Sequence, residues 1–540
     1  MKKNIVFLGK NGQVANAFYN IANQNSNFNC IFYSSLEVDL SNPNAVDSFL
    51  DSLPKNIDLM VNCMAYTNVD KAEEEQDLCN KINNISVGVI AKYCFSNNIK
   101  FVHFSTDYVF DGTGSEAFSE DNTTNLHPVN FYGKTKLLGE QAIQKSGCDY
   151  IIIRLSWVYD NRENSKNFVN TIKRLAKEKE VLNIVNDQIG SPTSADFVAR
   201  NSMRIFDKIF KEDKKNVKEI IHLNNGHFVS LFDFSLQIFE FLKRSMEVIN
   251  LNKIISIEST ELKNLENDFA ITKNSFLSKT KNSKLKDFNI ESSNNLQNRY
   301  ATIFAHYDKD QIIEDYVIYY LENLRKISDY IIFVSDSNLP ESETAKIQNL
   351  CHKIIAKRHN EYDFGSYKIG IEFFLNEKRN CNNLILANDS CFGPLKSFEN
   401  IFQLMEFSDA DFWGLITNQD GFLPHLQSYF LIFKERVISS KEFAEFFKNV
   451  KKQNCKKDII KKYEVGLTQY LLRHNFKMDS FIKKIFENNP TISAKKNSKL
   501  IKHKFPFIKF SLIDKNLIYG ITEAIKYKKF KILAKHLFRK

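Results

Sequence analysis

Both halves of this 540-residue chain are predicted to be α/β, the first half as a doubly wound parallel sheet. Three observations predict it. Short apolar runs of strand length alternate with longer helical stretches through the first 200 residues. The first such run is followed at once by a glycine turn that opens a helix. A second strand-first series then begins at Tyr300, after a stretch rich in Asn, Ser and Lys.

The first strand is Ile5-Val6-Phe7-Leu8, and Gly9-Lys10-Asn11-Gly12-Gln13-Val14-Ala15 follows it. G-x-x-G-x-x-A between a strand and a helix is a dinucleotide-binding turn. Its glycines let the backbone approach a pyrophosphate, and the helix N-terminus supplies amide donors. Cys30–Tyr33 is the second strand and ends in Ser34-Ser35, with Asp39-Leu40 close by. A carboxylate at that strand end would suit NADH and an arginine NADPH; neither stands there, so the choice stays open. Leu59–Ala65, including Cys63 and Met64, is a third buried run, and Phe101–Ser105 a fourth, with a helix over Ser86–Phe95 between them.

The fourth strand runs into Ser105-Thr106-Asp107-Tyr108, where hydroxyls and a carboxylate meet the ligand end of a parallel sheet. A loop cap would use the same residue types. In Phe131–Glu140, a helix places Tyr132 and Lys136 at i and i+4 on one face. An ammonium beside the phenol would lower its pKa from about 10 and make Tyr132 a proton donor to a carbonyl oxygen. Thr106 would hydrogen-bond the same oxygen. A surface helix with a snorkelling lysine is the bland reading of that spacing.

Composition bounds the rest. Hydrophobic residues are 43% and charged residues 26%, as in a soluble globular protein. Nine cysteines without C-x-x-C spacing point to a reducing, cytoplasmic setting and away from a disulfide framework or zinc site. No signal peptide or transmembrane run is expected. Of the formal +10 charge, Thr491–Lys540 holds more than all, with 14 Lys/Arg against Asp514 and Glu523. The remainder is near neutral, which excludes a nucleic-acid-binding profile.

With these pieces assembled, residues 1–290 resemble the dTDP-4-dehydrorhamnose reductases of the extended short-chain dehydrogenases. The likeness runs through Gly9–Val14, Ala65–Glu73, Ser105–Gly112, Tyr132–Glu140, Arg154–Tyr159 and Asn186–Thr193. It implies a Rossmann-type domain with a small sugar-binding subdomain, and Thr106, Tyr132 and Lys136 as the catalytic set. NADPH or NADH would lie on Gly9, Asn11, Gly12, Gln13, Val14, Asp39, Leu40, Cys63, Met64, Ala65 and Tyr66, as well as Tyr132 and Lys136. Asp107 and Trp157 would face a dTDP-sugar. Ala17 stands where some members carry a metal-binding glutamate, so no metal is expected there.

Residues 275–285 read as the last piece of that domain and 291–298 as a linker. The second domain, 299–510, opens with Tyr300–Asp308 and continues through a helix near Ile313–Leu324 and strands at Tyr330–Val334 and Leu384–Ala387. It resembles the rhamnan synthesis F family through His306-Tyr307-Asp308, Asp363-Phe364-Gly365, Asn388–Pro394, Asp411–Gly414, His425–Phe430 and Glu464–Leu471. The resemblance implies a glycosyltransferase-like, GT-A-like domain that transfers rhamnose to a polysaccharide or lipid-linked glycan. A diphosphate leaving group needs charge neutralisation on one side and a carboxylate base on the other. Asp389 is the candidate for the diphosphate or a Mg2+ or Mn2+ ion, Asp363 for the nucleotide and Glu464 for the base. A helix N-terminal acid reads Glu464 equally well, and Trp413 and His425 read as packed core.

Residues 511–540 read as a basic tail whose helix, Ile521–Phe538, could contact the anionic inner face of a membrane. The whole is read as a bifunctional rhamnose enzyme, reductase fused to rhamnosyltransferase, and a homo-oligomer is compatible with it. Two alternatives stand beside it. One is a reductase of another dTDP-6-deoxy-4-keto sugar; the other is a silent nucleotide-binding scaffold joined to a glycan-binding module.

Overall fold

The computed structural model describes residues 2–22, 28–112, 117–121, 126–162, 164–212, 216–225, 228–243, 250–258, 300–328, 330–377, 383–419, 423–486 and 489–537. The stretches 275–285 and 291–298 lie outside these. The chain divides into two compact units, Met1–Phe239 with Ile249–Asn294, and Glu240–Val248 with Asn295–Lys540.

In the first unit the strands are β1 (Lys3–Leu8), β2 (Phe28–Tyr33), β3 (Leu59–Asn62), β4 (Lys100–Thr106), β5 (Tyr150–Leu155) and β6 (Lys218–His222). All pair in parallel, in the order β6-β5-β4-β3-β1-β2. Helices α1 (Gln13–Ala22), α2 (Pro43–Asp51), α3 (Ser86–Ser96), α4 (Phe131–Ser146) and α5 (Ala195–Lys211) cover the sheet. The period of two in β1 divides its residues between the two faces. Ile5 and Phe7 meet α1 and α5 through Phe18 and Phe206, while Val6 and Leu8 meet α2, α3 and α4 through Leu50, Ile90 and Ile143. Because β2 and β3 flank β1 on opposite sides, a crevice opens at the carboxyl ends of β1 and β3, where ligands of such sheets bind. Outside the main sheet, Val181–Val185 pairs with Lys253–Ile257, and Val158–Tyr159 with Thr193–Ser194.

The second unit holds a mixed sheet of β7 (Tyr300–His306), β8 (Tyr330–Ser335), β9 (Lys353–Ala356), β10 (Asn383–Asn388), β11 (Phe412–Asn418), β12 (His425–Leu426), β13 (Phe430–Lys434) and β14 (Met478–Phe486). Its order is β9-β8-β7-β10-β13-β11-β12, with β14 parallel to β11. The β7–β10 half is parallel, and β13 turns the sheet antiparallel. Helices α6 (Asp315–Leu324), α7 (Tyr362–Asn376) and α8 (Gly466–Arg473) belong to this unit.

The expected basic tail is not a separate segment. It forms α9 (Leu517–Lys526) and α10 (Phe530–Leu537), and Leu512, Ile513, Ala524 and Leu533 are buried with Phe392 and Ile508 in one cluster. Lys535 and His536 pair with Asp315 and Glu314 beside α6. A single helix over Ile521–Phe538 fails because Lys528 takes a left-handed φ of 58° between the two. Among the described residues no helix is long and apolar enough to cross a membrane.

Candidate functional sites

The first site is built at the carboxyl ends of β1, β3 and β4. Gly9 has φ +101°, and a Cβ there would stand 2.8 Å from Met64 Cγ, so only glycine closes this turn against the β3 end. Its N–H and that of Lys10 both donate to Tyr33 O, at 2.8 and 3.0 Å, tying the turn to β2. Asn11, Gly12, Gln13 and Val14 lead into α1, and the Gln13 side chain accepts a hydrogen bond from Asn167 Nδ2 at 3.1 Å. Asp39 is exposed and caps its own turn through Ser41, while Leu40 is buried and its carbonyl accepts from Ser86. Beyond β3, Cys63, Met64, Ala65 and Tyr66 line up past Asn62, whose Oδ1 accepts the Met64 N–H at 3.0 Å. The Tyr66 phenol bonds Glu75, and burial together with that bond raises it to about 12.

The sequence reading missed Glu37. It lies four residues beyond β2, and its carboxylate accepts from Ser34 N–H at 2.6 Å and Ser34 Oγ at 2.9 Å. An acid does therefore stand near the end of β2. The intervening turn, Ser34–Leu36, hid it from a reading that looked only at the strand's last residues.

Tyr132 and Lys136 lie one turn apart on α4. Asn130 caps this helix by accepting the Gly133 N–H at 2.8 Å, and Glu73 accepts the Phe131 N–H at 2.7 Å. The Thr106 hydroxyl donates to Asp107 Oδ1 at 3.1 Å and accepts the Tyr108 N–H at 3.2 Å, and Asp107 is buried beside it. α4 approaches a π-helical turn, Lys81–Ile85, so closely that a Cβ on Gly139 would stand 2.2 Å from Asn83 O. That turn aims Asn83 at Thr135 and at the Tyr66 backbone. Trp157 holds a φ of 40°, rare for a bulky residue, against Gly190.

The expected lowering of the Tyr132 pKa is corrected here. Burial raises the phenol above its usual value, and the Lys136 amine is directed elsewhere. Lys136 Nζ lies 2.7 Å from Phe104 O and 3.0 Å from His103 Nε2, and burial brings it down to about 8. Under α4, Glu140 and Arg154 form a buried ion pair at 2.6 Å, and Ser105 Oγ donates to the same carboxylate at 2.5 Å.

The second site is a cavity of about 360 Å3 in the second unit, into which Asp363, Asn388, His425, Ser428, Glu464 and Lys509 project. Asp363 sits in the first turn of α7, after Tyr362 at φ 57°. It accepts one hydrogen bond, from Asn388 Nδ2 at 2.7 Å, and burial raises its pKa to about 6. Glu464 belongs to a π-helical turn, Ile460–Val465. Its carboxylate accepts Ser428 N–H at 2.8 Å, the Ser428 hydroxyl, and Gln427 Nε2 at 3.2 Å.

The expectation of Glu464 as base is revised accordingly. Burial would raise its pKa, but the His425 ring, with Nε2 3.6 Å from Oε1, the Lys509 charge and the Ser428 hydrogen bonds outweigh this and hold it below the usual range. Both of its oxygens are engaged. Asp389 lies beside the cavity at the end of β10, its carboxylate accepting the Tyr307 N–H at 2.9 Å, and burial raises it well above the carboxylate range. Among the described residues no three His, Cys, Asp or Glu side chains converge as a metal site. Of the side chains near Asp389, His306 presents Nε2 at 3.9 Å from its carboxylate. Trp413 and His425 are both buried, Trp413 against Phe402.

Comparison with known proteins adds the following. Residues 2–303 match the family described as RmlD substrate binding domain, and residues 331–537 that described as Rhamnan synthesis protein F. The dTDP-4-dehydrorhamnose reductase of Salmonella typhimurium is 35% identical over 262 residues, 48% of this chain and 84% of that protein. The reductase of Escherichia coli matches to the same extent, 35% over 262 residues with the same two coverages, 48% and 84%. A solved dTDP-4-dehydrorhamnose reductase from Clostridium acetobutylicum aligns with a TM-score of 0.45 at 30% identity, covering 53% of this chain and 93% of that one.

Proposed function

The chain belongs to the RmlD family of dTDP-4-dehydrorhamnose reductases, and from that premise we propose that its first unit reduces dTDP-4-dehydro-L-rhamnose to dTDP-L-rhamnose. The observation that carries this is that Thr106 at the end of β4, Tyr132 and the buried Lys136 one turn apart on α4, and the Gly9 turn at the end of β1 all stand at the carboxyl end of one parallel sheet. The tight glycine turn at the β1 end, opening α1, suits a dinucleotide, and Gly9–Val14, Asp39–Leu40 and Cys63–Tyr66 would hold it. A reduced nicotinamide, when bound, supplies the hydride to the C4 carbon. Tyr132 gives its phenolic proton to the C4 oxygen as the C=O π pair moves onto that oxygen. Thr106 orients the carbonyl, Lys136 contacts the ribose and stabilises the tyrosinate left behind, and Asp107 and Trp157 face the sugar.

The test is NADH and NADPH oxidation with freshly prepared dTDP-4-dehydro-L-rhamnose. Tyr132→Phe is expected to lose turnover by about 10²–10⁴-fold while still binding cofactor. Absence of turnover in folded wild-type protein with either cofactor would remove the assignment.

For the second unit we infer rhamnosyl transfer to a polysaccharide or lipid-linked glycan, supported by the match over residues 331–537 and by the acid-bearing cavity. The acceptor hydroxyl loses its proton to Asp363 as its oxygen bonds the sugar C1, and the C1–O pair leaves on the nucleoside diphosphate. Lys456 and Lys509, which also line the cavity, would neutralise that leaving group, and Glu464 holds the Ser428 loop in place. Release of dTDP from dTDP-L-rhamnose in the presence of a rhamnan oligosaccharide, lost in Asp363→Asn, is the expected result. Unchanged release in that variant would reject the base.

On α9, Leu517, Ile518 and Ile525 are exposed beside Lys515, Lys526 and Lys528, which suits an anionic lipid surface. Pelleting with phosphatidylglycerol vesicles that survives Ile518→Ser/Ile525→Ser unchanged would remove that contact.

A further inference from the structure

Behind Tyr132 and Lys136 lies a buried polar chain that the reaction above does not use. Asn62 ends β3 and His103 lies opposite it on β4; both are wholly buried. Asn62 Nδ2 stands 3.2 Å from His103 Nδ1, and His103 Nε2 stands 3.0 Å from Lys136 Nζ.

The donors in this chain can be ordered from one end. Asn62 Oδ1 accepts the Met64 backbone N–H at 3.0 Å, and a backbone N–H can only donate. The amide of Asn62 is thereby fixed with its NH2 toward His103, so His103 Nδ1 accepts. A neutral imidazole that accepts at Nδ1 carries its proton on Nε2. That proton points at Lys136 Nζ and needs a lone pair, which the neutral amine has and the ammonium lacks. One amine hydrogen of Lys136 goes to Phe104 O at 2.7 Å, leaving the other to face the crevice.

We propose that Asn62 and His103 are positioning residues that favour the neutral form of Lys136 and so set the pH at which this lysine charges. To become an ammonium that donates to His103, Lys136 must have the imidazole change tautomer, and Asn62 must then turn over and give up the Met64 N–H. The relay therefore opposes the charge that the proposed mechanism requires beside the tyrosinate.

Electrostatics point the same way. Burial holds His103 well below its usual pKa, with the Lys136 charge adding to the effect, so the ring stays neutral. Lys136 falls by burial to about 8, opposed by Glu140 on α4 and Cys79 on the helix Gln76–Asn80. Glu140 is already engaged by Arg154, so it does not hold the amine itself.

The test has two arms, and the kinetic one rests on the reductase reading. The pH profile of kcat/KM for dTDP-4-dehydro-L-rhamnose reduction should fall on its alkaline side as Lys136 loses its proton, at a pH of about 8. In Asn62→Asp the new carboxylate accepts from both Met64 N–H and His103 Nδ1–H, which reverses the order and lets the ammonium donate. The alkaline limb should then move up by at least about one pH unit, a tenfold change in the lysine's proton affinity. Because a buried carboxylate raises a lysine's proton affinity by its charge alone, the uncharged Asn62→Leu is measured beside it: with no donor left on His103 Nδ1 its limb should also move up, and a limb that stays at the wild-type position in Asn62→Leu overturns the proposal.

The second arm needs neither turnover nor a variant that folds. In wild-type protein labelled with [15N]histidine, the His103 ring at pH 9 should be the Nε2–H tautomer with a bare Nδ1. Finding the proton on Nδ1 overturns the relay, whereas an inactive protein with the Nε2–H ring would reject only the reductase assignment.

Discussion

The buried Glu140–Arg154 pair offers the sharpest test of how the first unit is held together. Each side chain is 2% exposed, and the carboxylate accepts Ser105 Oγ at 2.5 Å, Arg154 Nε at 3.0 Å and Arg154 Nη2 at 2.6 Å. Glu140→Gln keeps the shape and leaves a guanidinium buried over the Phe110 ring with no counter-charge. Removing one partner of a buried pair costs about 3–5 kcal/mol. Against a domain stability of about 5–15 kcal/mol, that is a large share. At a urea slope of about 2 kcal/mol/M, the midpoint should fall by about 2 M.

The chain has two tryptophans, one in each unit, so a Trp413→Phe background leaves Trp157 as the only indole and reports the first unit alone. Glu140→Gln and Arg154→Met should each lower the midpoint by about that amount. The double variant, with no unpaired charge left, should recover more than half of the summed loss. Single losses below about 1 kcal/mol, or strict additivity in the double variant, would refute the claim that the pair is a desolvated ion pair.

Three further outcomes are expected. Asp363 has a folded value of about 6 against 3.8 for the ordinary carboxyl, so its burial lowers stability as pH rises from about 4 to 6, and the deficit persists above. Asp363→Asn should therefore raise the melting temperature of the second unit at pH 7.5, by the equivalent of about 1–2 kcal/mol after solvent screening, and equal melting would contradict this. Glu37→Gln removes the carboxylate near the end of β2 and should shift the NADPH/NADH preference several-fold toward NADPH, read as the ratio of kcat/KM values. Gly139→Ala puts a methyl 2.2 Å from Asn83 O, so α4 must shift; a stability loss of about 1–3 kcal/mol with a parallel fall in reductase turnover is expected.

Much of the molecule is legible in its amino-acid sequence, for a local reason. The apolar runs at Ile5–Leu8, Phe101–Ser105 and Leu384–Ala387 fall within strands β1, β4 and β10 because strand period and buried composition are properties of a few adjacent residues. The Gly9 turn and the i, i+4 spacing of Tyr132 and Lys136 belong to the same class. The C-terminal helices escape such a reading because net charge dominates the composition there, while the apolar stripe through Ala524 and Leu533 that packs them is narrow.

Groups that meet across the sheet, and the water excluded around them, are decided by tertiary structure alone. Asn62 and His103 are 41 residues apart, and His103 and Lys136 are 33 apart; only the register of β3 with β4 and the seat of α4 join them. The same packing desolvates Tyr132 and turns the Lys136 amine toward His103, which reverses the pKa shift that spacing alone suggests. In the second unit, Asp363 and Glu464 read alike as acids. The fold places three donors on Glu464 and one on Asp363, and that difference separates a fixed carboxylate from one free to take a proton. Sequence determines which chemistry is present in each half; burial and long-range hydrogen bonding determine the charge each group carries.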